Sequence, residues 1–424
     1  MQLPFNPAEG FANPFGFLKI SYGIHAKVTA LILMSVLYLS CLSQEAPKIP
    51  ERAQKLDNLT VYSVEADPAG EIQFVREQTF GSTNGVMIGR LGSVTVDKAG
   101  RVLIADLDQQ IINVFESDGQ YFTQFGGEGR GPGEFLAGPN LEIVSNRLYA
   151  YDYMQLRVSV FSPVSLSLSY TLNLNPRNKN SIEALTGHHM SWILFRNDDT
   201  FLACFSQPLY TDPGKPEYNL EDEKYIRCYL MNVEGRITDD KILKVRDTRY
   251  LTGAVKRGDF SIGVFRHFAS RPLLTLSEED QIYSAWSEDF LIKMYDSKGK
   301  YLRAWYYPYQ NVRLTRENAI LKANSEYSKN VITRNLDALP ETWPALNSMQ
   351  IDDDNRLWVS TIVEDFDIYE WWVLEETGEL ITRFEWPRDE PIEVVKNGYM
   401  YTRETDEETG LQQVVKYRIE FEGG

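Results

Sequence analysis

The feature that most constrains this chain is a unit of roughly 35 residues that recurs along it. The clearest copy, residues 94–126, reads VTVDKAGRVLIADLDQQIINVFESDGQYFTQFG. A polar turn, Asp97-Lys98-Ala99-Gly100-Arg101, precedes a short apolar run at 102–105. A second run at 111–115 leads into the turn Ser117-Asp118-Gly119, and a third follows at 121–125. Short apolar runs separated by Asp- and Gly-bearing turns predict four antiparallel strands. Residues 276–305 repeat the pattern, and the intervals Val102 to Gly119 and Ile282 to Gly299 are both 17 residues. A third copy, slightly longer, occupies 351–386. Looser copies lie at 141–172, where Ser165 takes the place of the turn glycine, at 193–245, and at 392–421, which stops short of a fourth strand.

Six such units predict an all-β chain: a six-bladed β-propeller of four-stranded antiparallel blades. A ring of this kind must close, because an open end exposes unpaired strand edges and an apolar sheet face. The segment 72–80, IQFVREQTF, supplies the strand that the last copy lacks; it is preceded by another strand-like segment at 59–64. Each blade packs against two neighbours, so its middle strands are apolar on both faces. Phe115, Tyr295 and Trp372 in the third strands, with Phe125, Trp305 and Phe384 in the fourth, are expected to fill the widening wedge between blades.

The first 41 residues read differently. Lys27 precedes an apolar run, VTALILMSVLYLS at 28–40, and Cys41 follows directly. The run is short for a membrane span and has the length of a signal-peptide core. A Cys in that place resembles a bacterial lipobox, with Tyr38 where Leu is preferred. Residues 1–41 are therefore expected to be leader and signal peptide, with Cys41 as the lipid attachment site. Residues 42–58 are expected to be a linker and 59–424 the propeller. Plain secretion and a retained membrane anchor are the alternatives. The expected location is across the inner membrane, lipid-anchored in the outer membrane or at the cell surface, as a monomer. Two cysteines then remain in an oxidising compartment, Cys204 and Cys228. A cross-strand bridge and two buried free thiols are both open, and free thiols are the preferred reading.

A net charge of −17 argues against nucleic-acid partners, since no local basic run offsets it. The stretch from Val96 through GGEGRGPGEF at 126–135 is similar to the NHL-type repeat. It resembles, more closely, NHL-like/TolB-like six-bladed propeller lipoproteins of unknown function from Bacteroidetes. That resemblance implies the fold and no particular reaction. GGEGRGPGEF is not a phosphate loop, because no Lys-Ser/Thr and no helix follow it. It is expected to be a crossover between blades. The candidate ligand contacts on face loops are Arg130, Glu134 and Trp343.

Two insertions interrupt the spacing. Residues 315–339 predict one or two helices between blades four and five, started by Thr315 with Glu317 and stopped by Pro340. The segment from Gln207 through Pro216 predicts a projecting hairpin tip. Catalytic constellations are sparse. His25 lies in the leader, His267 stands alone, and the adjacent His188 and His189 would point to opposite faces of a strand. Lyases of peptide amidation hold zinc with several His, which this chain does not match. The lactonase-like enzymes that the fold resembles hold calcium with Glu, Asn and Asp. Asp106, Asp152, Glu288, Asp289 and Asp365 are the carboxylates available for that. In NHL-like repeats the Asp after the second strand braces the blade. No cofactor is expected, calcium being the alternative. The leading expectation is a non-enzymatic module that binds a protein, peptide or glycan through its face loops; the alternative is a calcium-dependent hydrolase or lyase.

Overall fold

The computed structural model describes residues 49–82, 86–174, 185, 188–206, 224–238, 242–248, 251–252, 263–264, 268–321, 325–334 and 336–422. The expectations for Cys41, the leader, the hairpin tip at 207–216 and His267 lie outside these residues. Two N-terminal strands come first, β1 (Leu59–Val61) and β2 (Glu71–Phe80). Blade 1 holds β3 (Leu91–Val96), β4 (Val102–Asp106), β5 (Ile111–Phe115) and β6 (Tyr121–Gly126). Blade 2 holds β7 (Asn140–Val144), β8 (Arg147–Asp152), β9 (Arg157–Phe161) and β10 (Leu168–Asn173). Blade 3 holds β11 (His189–Phe195), β12 (Phe201–Ser206), β13 (Tyr225–Met231) and β14 (Leu243–Arg246). A two-stranded pair follows, β15 (Leu251–Thr252) and β16 (Gly263–Val264). Blade 4 holds β17 (Pro272–Leu276), β18 (Ile282–Trp286), β19 (Leu291–Tyr295) and β20 (Tyr301–Tyr306). Blade 5 holds β21 (Leu346–Ile351), β22 (Leu357–Ile362), β23 (Ile368–Leu374) and β24 (Leu380–Pro387). Blade 6 holds β25 (Ile392–Lys396), β26 (Tyr399–Thr405), β27 (Gln412–Glu422) and, as its fourth strand, β2.

Closure by β2 is antiparallel to β27, with Phe80 opposite Val414 and Ile72 opposite Phe421. Six apolar interfaces then complete the ring. Phe80, Tyr401 and Val414 pack on Phe115 between blades 6 and 1. Phe161 and Phe135 fill the next junction, and Tyr149, Phe195 and Phe201 the one after. Ile282 meets Leu243 and Val245 between blades 3 and 4. Trp305 and Trp372 lie between blades 4 and 5, and Trp358 and Met400 between blades 5 and 6. The aromatics expected in the wedges are there, with Phe115, Trp305 and Trp372 essentially without solvent contact. Buried aromatics of this size contribute more than any polar contact in the fold.

The segment 59–64 does not continue the closing strand. β1 instead adds to blade 4 as a fifth strand, parallel to β20, with Thr60 opposite Trp305. From there the chain crosses the outer edge of blade 5, where Tyr62 Oη donates to the Thr377 carbonyl (3.0 Å) and Gly70 N to the Ile381 carbonyl (3.1 Å). The outer edges of three consecutive blades are thus covered by one N-terminal belt. The belt begins earlier than the expected linker boundary allows. A short helix, α1 (Glu51–Gln54), buries Ala53. Tyr301 Oη reaches the Asp57 carbonyl (2.6 Å).

Turn chemistry sets the ends of the strands. The turns between first and second strands form a hydrogen-bonded rim. Ser145 Oγ donates to Asn197 Oδ1 (2.6 Å), Asn197 N to Asp280 Oδ1 (2.9 Å), and Asn355 Nδ2 to Glu279 Oε1 (3.3 Å). Asn397 N donates to Asp353 Oδ2 (2.8 Å) and Asn397 Nδ2 to the Asp97 carbonyl (3.2 Å). Arg101 reaches blade 2 at the Pro163 carbonyl (2.5 Å), in the turn between β9 and β10. Asn146 and Asn397 sit at positive φ (58° and 57°), which Asn tolerates in tight hairpins. In blade 2 the left-handed residue is Leu166 (φ 56°) and not the expected Ser165.

Cys204 and Cys228 are directly opposed on β12 and β13 and form a disulfide. The preference for free thiols is therefore corrected. Register decides the matter: the two residues face each other in the ladder, buried against blade 4.

The helical insertion comprises α2 (Arg316–Leu321), α3 (Glu326–Arg334) and a single 3-10 turn (Leu336–Ala338). Its start is a reciprocal cap. Asn318 N donates to Thr315 Oγ1 (3.2 Å) and Thr315 N to Asn318 Oδ1 (2.9 Å). Asn318, at the third helical position, does what the sequence suggested for Glu317.

Candidate functional site

In an antiparallel blade the ends of the second and fourth strands lie at the same rim. That rim carries the second-to-third-strand loops and the crossovers between blades. The connections that flank Ser206 and Tyr225, Arg246 and Pro272, and Tyr306 and Leu346 all open there. Any ligand read by the loops of this scaffold meets this rim.

The carboxylates at the ends of the second strands are committed to the backbone. Asp106 is fully buried and accepts hydrogen bonds from Gly89 N (2.9 Å), Asp108 N (2.8 Å), Gln109 N (3.2 Å) and Gln109 Nε2 (3.0 Å). Asp152 repeats the arrangement with Leu136 N (2.6 Å), Met154 N (2.9 Å), Gln155 N (3.1 Å) and Gln155 Nε2 (2.8 Å). In blade 4 the same service falls to Ser287, whose Oγ accepts from Arg271 N (2.8 Å). Such saturated carboxylates hold crossovers in place. Asp365 is occupied with the Asp367 amide (2.9 Å). Among the described residues no three His, Cys, Asp or Glu side chains gather as a metal cage. His188 Nε2 lies 2.9 Å from Arg227 Nη1, and His189 is exposed on β11.

The expected face contacts divide. Arg130 is exposed on the crossover, while its carbonyl accepts from Arg157 Nη1 (2.8 Å). Glu134 turns back into its own loop, its Oε2 accepting from Gly131 N (2.7 Å). A side chain at Gly129 (φ +155°) would collide with that carboxylate. Trp343 is a core residue, 3% exposed, packed edge-on against Phe268 and tilted on Phe366. The helices of the insertion cover it, so the Trp expected on a face loop is removed from ligands.

A cleft of about 220 Å³ opens between blades 3 and 4 at the crossover rim. Arg52 from α1, Arg246 at the end of β14, and Lys293 in the middle of β19 line it, with Asp289 from the β18–β19 loop. Tyr225, Trp286 and Tyr295 supply aromatic walls. Arg52 pairs with Asp289 and, at 3.5 Å, with Glu288, whose Oε2 also accepts from Trp286 Nε1 (2.8 Å). The Arg246 guanidinium carbon is 6.0 Å from the Trp286 ring, and Lys244 Nζ sits 3.7 Å over the Tyr225 ring at the edge. Burial raises the Asp289 carboxyl above its ordinary value, with Arg52 pulling the other way. Burial also lowers the Lys293 ammonium, and the Arg52 and Arg246 guanidiniums add to that. Tyr295 is pushed up to about 12 by burial.

Sequence reasoning missed Lys293 and Arg52. The signal was present for Lys293. The third strands of blades 1 and 2 read IINVF and RVSVF, with Asn113 and Ser159 at the midpoint; that of blade 4 reads LIKMY, with Lys there. A lysine at the centre of a strand packed on both faces is unusual enough to ask what it serves. A second titratable group lies on the innermost strands. Burial pushes Glu142, on β7, up to about 7, and Lys396 on β25 pulls it down.

The class of protein these observations define is the six-bladed β-propeller, closed by its own N-terminal strand and dressed at one rim. A family described as a 6-bladed beta-propeller, DUF5128, matches residues 64–212, about a third of the chain. No curated protein matches in sequence. Among solved structures, the chain is similar to a presumed exported protein of Bacteroides fragilis (12% identity, 85% of this chain and 99% of that one, TM-score 0.48). It is similar also to a DUF4221 member from Bacteroides vulgatus (12%, 84% and 100%, TM-score 0.48). A third is regucalcin, a calcium-binding protein of Agrobacterium tumefaciens (11%, 87% and 98%, TM-score 0.39).

Proposed function

We propose that this protein is an envelope-anchored binding propeller, recognising a protein, peptide or glycan at its crossover rim. The observation that carries the proposal is the cleft between blades 3 and 4. It is lined by cations and aromatic rings, at the rim where β14 and β18 end. A calcium-dependent hydrolase would need convergent carboxylates with free oxygens. Asp106 and Asp152 instead spend theirs on backbone amides. Arg130, exposed on the crossover between blades 1 and 2, offers a further cation at the same rim.

The anchoring rests on the apolar run at 28–40 and on Cys41. The disulfide agrees with export, because such bridges persist in oxidising compartments. Replacing Cys41 by Ala is expected to release the protein from the membrane fraction; retention in the membrane would refute lipid anchoring there. For the binding itself, the purified protein is offered to envelope extracts and glycan arrays, and in parallel to lactone and ester panels with calcium. Specific capture without turnover is expected. Calcium-dependent turnover with no captured ligand would overturn the proposal.

A further inference from the structure

The chain enters the fold at the crossover rim. Arg52, in α1, pairs there with Asp289 and Glu288 of the β18–β19 loop. It then descends to the opposite rim, where Tyr301 holds the Asp57 carbonyl, and β1 carries it back alongside β20. From Cys41 to Pro50, at the head of α1, there are nine residue steps, about 30 Å at full stretch. The six residues of β20 alone span about 20 Å between the rims. With Cys41 anchored in a bilayer, turning the far rim to the lipid would use most of the tether. Turning the crossover rim to it uses little.

Among the described residues six large apolar side chains are more than half exposed, and four of them stand on the crossover rim. Met87 precedes β3, Tyr153 and Met154 lie in the β8–β9 loop, and Leu321 ends α2 in the insertion between blades 4 and 5. Distributed around the ring, they mark out a plane and not a groove for one segment. Such a plane beside a short tether fits a lipid surface, where Tyr seats its ring and keeps its hydroxyl wet. The same rim carries carboxylates at 364–367 and 406–408, so attraction to anionic headgroups does not hold it there. We propose that the crossover rim lies on the bilayer, with Met87, Tyr153, Met154 and Leu321 seated among zwitterionic headgroups. This rests on the lipid anchor at Cys41 proposed above, and adds the orientation of the ring on its anchor. Four side chains are too few to hold a free protein on a membrane. The tether makes their contact intramolecular and so raises its effective concentration. A ligand of the rim is then met at the lipid surface.

The test uses the intact lipidated protein in phosphatidylcholine vesicles. Met154→Cys supplies a thiol for an environment-sensitive dye, Cys204 and Cys228 being bridged. Val164→Cys, similarly exposed in the β9–β10 turn of the opposite rim, is the control. A quencher carried on lipid headgroups is expected to dim the dye at 154 roughly twofold or more and to leave it unchanged at 164. Raised salt is expected to alter neither result. Adding Met87→Ser, Tyr153→Ser and Leu321→Ser, surface changes expected to leave the unfolding temperature as it is, should abolish the quenching at 154. Equal quenching at both positions, none at 154, or quenching that survives the three serines would overturn the docking. Quenching that salt abolishes would overturn it too, in favour of an electrostatic contact. So would a dye at 154 shielded from iodide yet untouched by the lipid quencher, which would make the rim a protein surface. If the protein stays with the vesicles in those cases, the anchor stands and only the orientation falls. If it does not float with them at all, both fall.

Discussion

Reduction of the Cys204–Cys228 bridge offers a quantitative handle on blade 3. The cysteines are 24 residues apart in sequence. In the chain-entropy description, closing a loop of that size removes about 12 cal/mol/K from the unfolded ensemble, or about 3.5 kcal/mol at 25 °C. Reduction deletes no side-chain atoms, and both residues are fully buried between blades 3 and 4, so the packing loss beside the entropy term is small. The assay is urea unfolding, followed by tryptophan fluorescence, of protein beginning at residue 49, with and without reductant. The midpoint is expected to fall on reduction by an amount equivalent to about 3 kcal/mol. Thiol titration of the unfolded, unreduced protein is expected to find no free thiol. Coincident unfolding curves after verified reduction would refute the reasoning. So would two titratable thiols at the start.

Three further outcomes are expected. Glu142→Gln is expected to change how stability depends on pH. Its carboxyl stands at about 7 in the fold against 4.5 ordinarily, so the unfolded chain ionises first as pH rises. Folded stability therefore falls between about 4.5 and 7, and the full penalty, about 3 kcal/mol, is present above that window. The Gln variant should gain up to that much at pH 8 and nothing below pH 4.5 in denaturant titrations; equal gains at both would contradict the assignment. Asp106→Ala removes the acceptor of the part-buried hydrogen bonds from the Gly89 and Asp108 amides and is expected to cost about 1–3 kcal/mol, read as a lowered unfolding midpoint. Gly378→Ala places a Cβ at 2.0 Å from the buried Trp305 ring in a residue at φ +91°, and is expected to cost about 2 kcal/mol or more in the same measurement.

The six blades could be read in the sequence because their turns are chemically marked. Asp97-Lys98-Ala99-Gly100-Arg101 and Ser117-Asp118-Gly119 recur with the same spacing, and each turn fixes the register of the strands it joins. The closing strand was readable for a different reason: the last repeat was one strand short, and 72–80 had the right pattern. What escaped depended on contacts far apart in the chain. No local pattern distinguishes β1 as a parallel addition to blade 4, since three residues carry almost no periodicity. Arg52 lies in a polar stretch that reads as linker until Asp289 and Glu288 are seen across from it. Cys204 and Cys228 are separated by an insertion whose length hides that they face each other. Trp343 sits in a Pro-flanked segment that reads as exposed loop, yet the insertion's own helices bury it.

The N-terminal belt has a consequence for how this protein could be released. Residues from Arg52 to Phe80 are shared among blades 4, 5 and 6: a salt bridge and a parallel strand on blade 4, hydrogen bonds on the edge of blade 5, and the final antiparallel strand of blade 6. In a chain anchored as proposed, a protease cutting ahead of residue 49 would release an intact ring that keeps its cleft. A cut between β1 and β2 would leave the ring closed, but Arg52 would then be tied to the cleft only by its own short helix and strand. A cut after Phe80 would take away the outer strand of blade 6, and with it the seal of the whole circle. If the chain is lipid-anchored as proposed, only a cut ahead of residue 49 frees a form that keeps every part of the proposed site.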